Sequence, residues 1–151
     1  MGYTTKFEGQ FRMDKLPPSD VIVRLRELEG VDGREANDSD MPAGYNQWNL
    51  TRDCQGIEWD GGEKFYDYEE WLQYLVDKVI APAGIELTGS VAYSGEDVND
   101  VGLLLIEDGK VVKRETALIA EEFQELKAFK DYVLSSPYVS EIASGWAARK
   151  R

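Results

Sequence analysis

The segment Gly56 to Ile80, GIEWDGGEKFYDYEEWLQYLVDKVI, runs from a short apolar strand through Asp60-Gly61-Gly62 into an amphipathic helix, and so sets the centre of the fold. The helix is predicted to begin at Asp67 as N-cap, with Glu70 three residues on to complete a capping box and Tyr66 placed to staple onto Trp71. Its buried stripe is Tyr68, Trp71, Leu72, Leu75, Val76, Val79 and Ile80, spaced by threes and fours. Ala81-Pro82-Ala83-Gly84 ends it, since proline cannot continue the hydrogen-bond ladder.

The flanking sequence adds strands. Between Tyr3 and Met13, apolar and polar residues alternate with the period of two expected of a half-buried strand. After Pro17-Pro18, Ser19 or Asp20 caps a helix with Val21, Ile22, Leu25 and Leu28 on one face, stopping at Gly30. Val31 to Gly44 is polar and reads as a long exposed loop. Tyr45 to Thr51 and Gly56 to Trp59 form a hairpin through Arg52-Asp53-Cys54-Gln55. Ile85 to Tyr93 is a strand, and Val101 to Glu107 pairs with Lys110 to Thr116 across the tight turn Asp108-Gly109. Val101 to Ile106 is apolar on both faces and is expected to be central. Further helices are expected from Glu121 to Leu134 and from Ser136-Pro137 onward.

These elements predict an α+β fold, with a mixed or mainly antiparallel sheet of about six strands and helices packed mostly on one face. The 151 residues are expected to form one globular domain, residues 1–151, because two would each bury too little surface.

The net charge of −12 is unevenly spread. Residues 1–30 carry five basic and five acidic side chains and residues 111–151 seven and six, whereas residues 31–110 carry five against eighteen. Such a field repels phosphates and anionic membranes and steers basic partners inward. A protein partner with a basic surface is therefore expected, with no direct nucleic-acid binding and no membrane binding. Cys54, alone, cannot form an internal disulfide, and no apolar run approaches a membrane span, so a cytoplasmic protein is expected. Oligomeric state is not readable from the sequence.

The chain contains no histidine, which removes the commonest general base and metal ligand and leaves carboxylates as candidates for chemistry. No catalytic residue is assigned. Cys54 sits beside Arg52, but no base partner accompanies it. The loop SGEDVNDVG places Glu96, Asp97 and Asp100 close together, an oxygen-rich cluster of the kind that calcium or magnesium takes. It departs from a calcium-binding helix-loop-helix pattern at Val101 and Asp108, and its flanks read as strands. Turn-forming acids without a cofactor are the simpler expectation.

Trp59, Asp60, Glu63 and Tyr66 form an acidic-aromatic edge ahead of the helix, and Trp48 lies on the neighbouring strand. Tryptophan and tyrosine are favoured interface anchors, so these five residues are the candidate partner-binding set. Tyr45, Trp48 and Trp59 could instead simply pair across the sheet.

The stretches Gly2-Tyr3-Thr4-Thr5-Lys6-Phe7-Glu8-Gly9, Ile57 to Tyr66, Glu70-Trp71-Leu72-Gln73-Tyr74-Leu75 and Gly95-Glu96-Asp97 resemble a group of small uncharacterised proteins of bacteriophage and bacterial genomes. The resemblance implies no activity and no catalytic residues. It does imply a setting of host takeover or anti-defence work, in the host cytoplasm. Residues and resemblance together give a non-enzymatic acidic interaction protein that occupies a basic surface of a host protein, in its sharpest form as a DNA mimic. The alternatives are a small-molecule or metal-dependent enzyme using the loop carboxylates, and a structural or assembly component.

Overall fold

The structure, a computed structural model, describes residues 2–115. The chain divides into two units, Met1–Thr116 and Ala117–Arg151, and the described residues belong to the first. The helices expected beyond Glu121 lie outside them.

The described unit is α+β. Its strands are β1 (Lys6–Met13), β2 (Trp48–Leu50), β3 (Gly56–Trp59), β4 (Leu87–Thr88), β5 (Ser90–Ser94), β6 (Val101–Glu107) and β7 (Lys110–Glu115). Its helices are α1 (Ser19–Leu28) and α2 (Tyr68–Leu75). Every strand pairing is antiparallel, and the order is β2-β3-β1-β5-β6-β7, with β4 beside β1.

Seven strands replace the expected six because Ile85 to Tyr93 breaks at Gly89, whose φ of 114° is closed to most side chains. β6 is interior, as expected, between β5 and β7, but the strand with most partners is β1, which pairs with β3, β4 and β5. Its alternation puts Phe7, Phe11 and Met13 in the core while Lys6, Glu8 and Gln10 stay exposed. The β6–β7 hairpin turns at Asp108 and Gly109 with φ of 50° and 77°, as the primed turn of a two-residue hairpin requires.

Both helices cover the face that carries Phe7 and Phe11. Val21, Leu25 and Leu28 of α1 and Tyr68, Trp71, Leu72 and Leu75 of α2 join them in one apolar cluster. Phe7 is its aromatic centre, with ring centroids of Tyr68, Trp48, Trp59 and Phe65 at 5.1, 5.3, 5.4 and 5.9 Å, all edge-on. Beyond Leu75 the chain widens to a π-helical turn at Val76–Ile80 and tightens at Ala81–Ala83, so the apolar stripe continues while the hydrogen-bond pattern changes. Gly84, at φ 74°, ends it.

The helix starts differ from expectation. Asp67 occupies the N-cap position of α2, but its side chain makes no capping hydrogen bond, and Pro18 rather than Ser19 or Asp20 precedes α1. Tyr66 is 59% exposed and its hydroxyl accepts the Tyr3 N–H at 3.1 Å, whereas Trp71 is fully buried, so the expected staple gives way to an N-terminal contact.

The long loop is tied by hydrogen bonds at its base and against α2. Gly30 N–H donates to Asn46, Asn46 N–H to Val31, and Gly33 N–H to Gly44, closing it at the base. Trp71 Nε1 reaches the Gly44 carbonyl at 3.0 Å, and the Tyr74 hydroxyl reaches Asp38 at 2.7 Å. α2 therefore shapes the loop from within. Among the described residues, no helix is long and apolar enough to cross a membrane.

Candidate binding cleft

The residues ahead of α2 meet the end of the long loop in a cleft of about 490 Å³, lined by Arg34, Tyr45, Gln47, Glu63, Lys64, Tyr66 and Asp67 with the backbone of Ala43 and Gly44. β2 and β3 position it. Gln47, at the entry to β2, accepts from Trp59 Nε1 at 3.2 Å and donates to the Glu63 carbonyl at 2.8 Å, so one buried amide spans both walls. Asp60 N–H donates to the Gln47 carbonyl, and the Asp60 carboxylate accepts from Gly62 N–H at 2.7 Å, which turns the chain toward the cleft. Lys64 then adopts φ 61°, an unfavourable conformation for a side chain larger than glycine's.

The lining charges are of two kinds. Arg34 is committed: its guanidinium makes hydrogen bonds of 2.8 to 3.2 Å to the Asp32 carboxylate and lies 5.7 Å from the centre of the Tyr45 ring. That pairing holds Asp32 below the usual carboxylate range and Arg34 above the usual guanidinium range. Glu63 and Asp67 are not committed; among the described residues neither carboxylate has a hydrogen-bond or ion-pair partner. The space over Gly44 is what the Asp67 carboxylate takes up, since a Cβ there would stand 2.7 Å from its Oδ2. Tyr45 and Tyr66 are 55% and 59% exposed.

A second depression of about 540 Å³ follows α2 past Asp40, Glu70, Gln73, Asp77 and Lys78. Most of its polar groups already have partners: Lys78 pairs with Asp40 at 2.9 Å, and Gln73 bonds Asp77 and the Gly109 carbonyl. The unpartnered carboxylates make the first cleft the better site.

Two of the five expected partner-binding residues, Glu63 and Tyr66, line that cleft. Asp60 is exposed and shapes its turn, while Trp59 is half-buried against Phe7. Trp48 is a correction: it is 1% exposed, with Nε1 donating to the Tyr68 carbonyl, and belongs to the core. β2 pairs Trp48 with Trp59 in register, and the helices cover the face they share, so the tryptophans pack rather than project.

The acidic loop holds the N-terminal segment. Glu96 accepts from Thr4 N–H at 2.8 Å, Asp100 accepts from the Tyr3 hydroxyl at 2.6 Å, and Asp97 N–H donates to that hydroxyl. Among the described residues no group of three or more cysteine, aspartate or glutamate side chains is placed to hold a metal ion.

Nothing local marks Arg34, because its place depends on the loop folding back to set it over Tyr45. Asp67, expected as the helix cap, makes no capping bond and lines the cleft instead.

The cleft on this acidic α+β unit brings together two exposed tyrosines, two carboxylates unpartnered among the described residues, and a buried amide that ties its walls. Comparison with protein-family models, with curated proteins and with solved structures finds no match for this chain.

Proposed function

We propose that this chain is a non-enzymatic interaction protein that occupies a basic surface of a partner protein, in the manner of a DNA mimic. One observation carries the reading: the fold does not consume its acids. Residues 2–115 hold twenty-four acidic and twelve basic side chains. Ion pairs take up Glu27, Glu29, Asp32, Asp40, Asp53 and Glu69. Asp60, Glu63, Glu70, Asp77, Glu107 and Asp108 are exposed without an ion-pair partner among the described residues. Unneutralised like charges destabilise a small domain, so their retention points to a use outside it. In the setting that the resemblance implies, the partner is a nucleic-acid enzyme of the bacterial host.

The test is affinity capture from that host with the full chain, followed by affinity measurements with the purified partner at about 50 and about 300 mM salt, where screening differs strongly. Binding is expected to fall steeply with salt and to be displaced by duplex DNA. Equal affinity at both salts would remove the electrostatic reading, and failure of DNA to compete would remove the mimicry.

A further inference from the structure

We propose that the cleft between Tyr45 and Tyr66 receives an arginine side chain of the partner, an assignment that rests on the acidic interaction reading and names its anchor. Exposed aromatic faces attract cations through the ring quadrupole, and guanidinium does so while stacking flat. This chain displays the preference within itself, because Arg34 already lies over Tyr45.

Charge selects the sign of the guest. Asp32 neutralises Arg34, so the lining charges left are Lys64 against Glu63 and Asp67. The local balance is negative, inside a chain of net charge −12. An anion would meet two carboxylates against the single Lys64 ammonium, whereas a guanidinium gains two acceptors. A flat fork with five donors also matches a carboxylate better than an ammonium does.

Preorganisation is visible in the walls. Gln47 is buried and bonded to both Trp59 and Glu63, so the cleft need not collapse or assemble on binding. Lys64 carries its left-handed φ between the two lining residues Glu63 and Tyr66, and such backbone strain persists where the surroundings enforce it. Asp67 leaves the helix N–H groups uncapped and keeps its carboxylate in the cleft.

The experiment titrates the full chain at low salt with capped tetraarginine and tetralysine peptides, reading affinity and the ring resonances of Tyr45 and Tyr66. Tetraarginine is expected to bind and to shift both rings. Tyr45→Ala, and separately Glu63→Gln with Asp67→Asn, should each weaken it about fivefold. Tyr45→Phe keeps the ring and should retain binding. Asp14→Asn with Glu86→Gln removes the same charge from a separate depression and should change affinity less than about twofold. Equal weakening by the two charge-matched pairs, or unshifted rings, overturns the cleft while leaving the broader acidic reading intact. Tetralysine binding as tightly as tetraarginine overturns the choice of arginine. Absence of binding by either peptide at low salt removes both readings.

Discussion

Trp48 Nε1 donates to the Tyr68 carbonyl oxygen across 2.8 Å, fastening β2 to the first residue of α2. The bond lies inside the aromatic cluster around Phe7, where Trp48 is also edge-on to Phe11 and Phe65 at 5.8 and 5.3 Å. Trp48→Phe removes the donor and part of the ring, and should lower stability by about 2–3 kcal/mol; Trp48→Ala should cost about 3–5. Urea unfolding followed by far-UV circular dichroism measures both. A loss below about 1 kcal/mol for the alanine variant would mean the residue is not in the core.

Asn46 is fully buried and closes the end of α1. Its Nδ2 donates to the Leu28 carbonyl at 2.8 Å and its Oδ1 accepts from Trp48 N–H at 3.0 Å. Asn46→Leu keeps approximate size but strands the Trp48 N–H and leaves the Leu28 carbonyl with only the Val31 N–H, at about 1–3 kcal/mol. Asn46→Asp should be at least as damaging near pH 7, because the acceptor-only carboxylate faces a carbonyl. Chemical denaturation of the two variants side by side tests the ranking.

The acid limb of the stability curve should report Asp53. Hydrogen bonds from Arg12, then from Thr51 and the Gln55 N–H, hold its carboxyl well below the usual carboxylate range. A folded-state value below the unfolded one means a stabilising contribution that is complete above the unfolded pKa and is lost as pH falls through the folded one. The melting-temperature gap between wild type and Asp53→Asn should be constant above about pH 5 and narrow below about pH 4. A gap that widens on acidification would reverse the sign and remove the Arg12–Asp53 account.

Gly33 is the tightest point of the long loop. A Cβ there would overlap the Pro42 carbonyl oxygen, a backbone atom with no rotamer to change. Gly33→Ala should cost more than about 2 kcal/mol or release the loop, visible as faster amide exchange at Gly33 and Met41, whose N–H groups bond within it. Protected amides in this variant would show that the loop reaches its closure another way.

Tyr74→Phe isolates the outer attachment of the same loop. It deletes only the hydroxyl that reaches Asp38 at 2.7 Å and should cost about 1 kcal/mol, concentrated in amide exchange around Asp38 to Met41. Unchanged exchange there, with global stability reduced, would place the effect in the core instead.

The readable parts of the fold were those governed by neighbours in sequence. The stripe from Tyr68 to Ile80 is buried at each expected position, and Asp108-Gly109 makes the expected turn, because helical spacing and positive φ are local properties. Glu63 and Tyr66 reach the cleft because the turn at Asp60 is encoded locally as well. Strand order was not readable: the apolar run in β6 marks an interior strand, which it is, but nothing local in β1 announces its pairings with β3, β4 and β5. The apolar alternation of Phe7, Phe11 and Met13 says which face is buried, not which strands stand alongside.

The sequence by itself determined the element types, the acidic middle and the aromatic edge ahead of α2, since period, turn chemistry and charge are written residue by residue. Only the tertiary structure decided that Trp48 turns inward, that Asp67 forgoes its cap, and that Arg34 and Tyr45 come from a distant loop to complete a wall. Those outcomes depend on contacts between segments many residues apart, where packing around Phe7 and the backbone closure at Gly33 and Gly44 outweigh local preference.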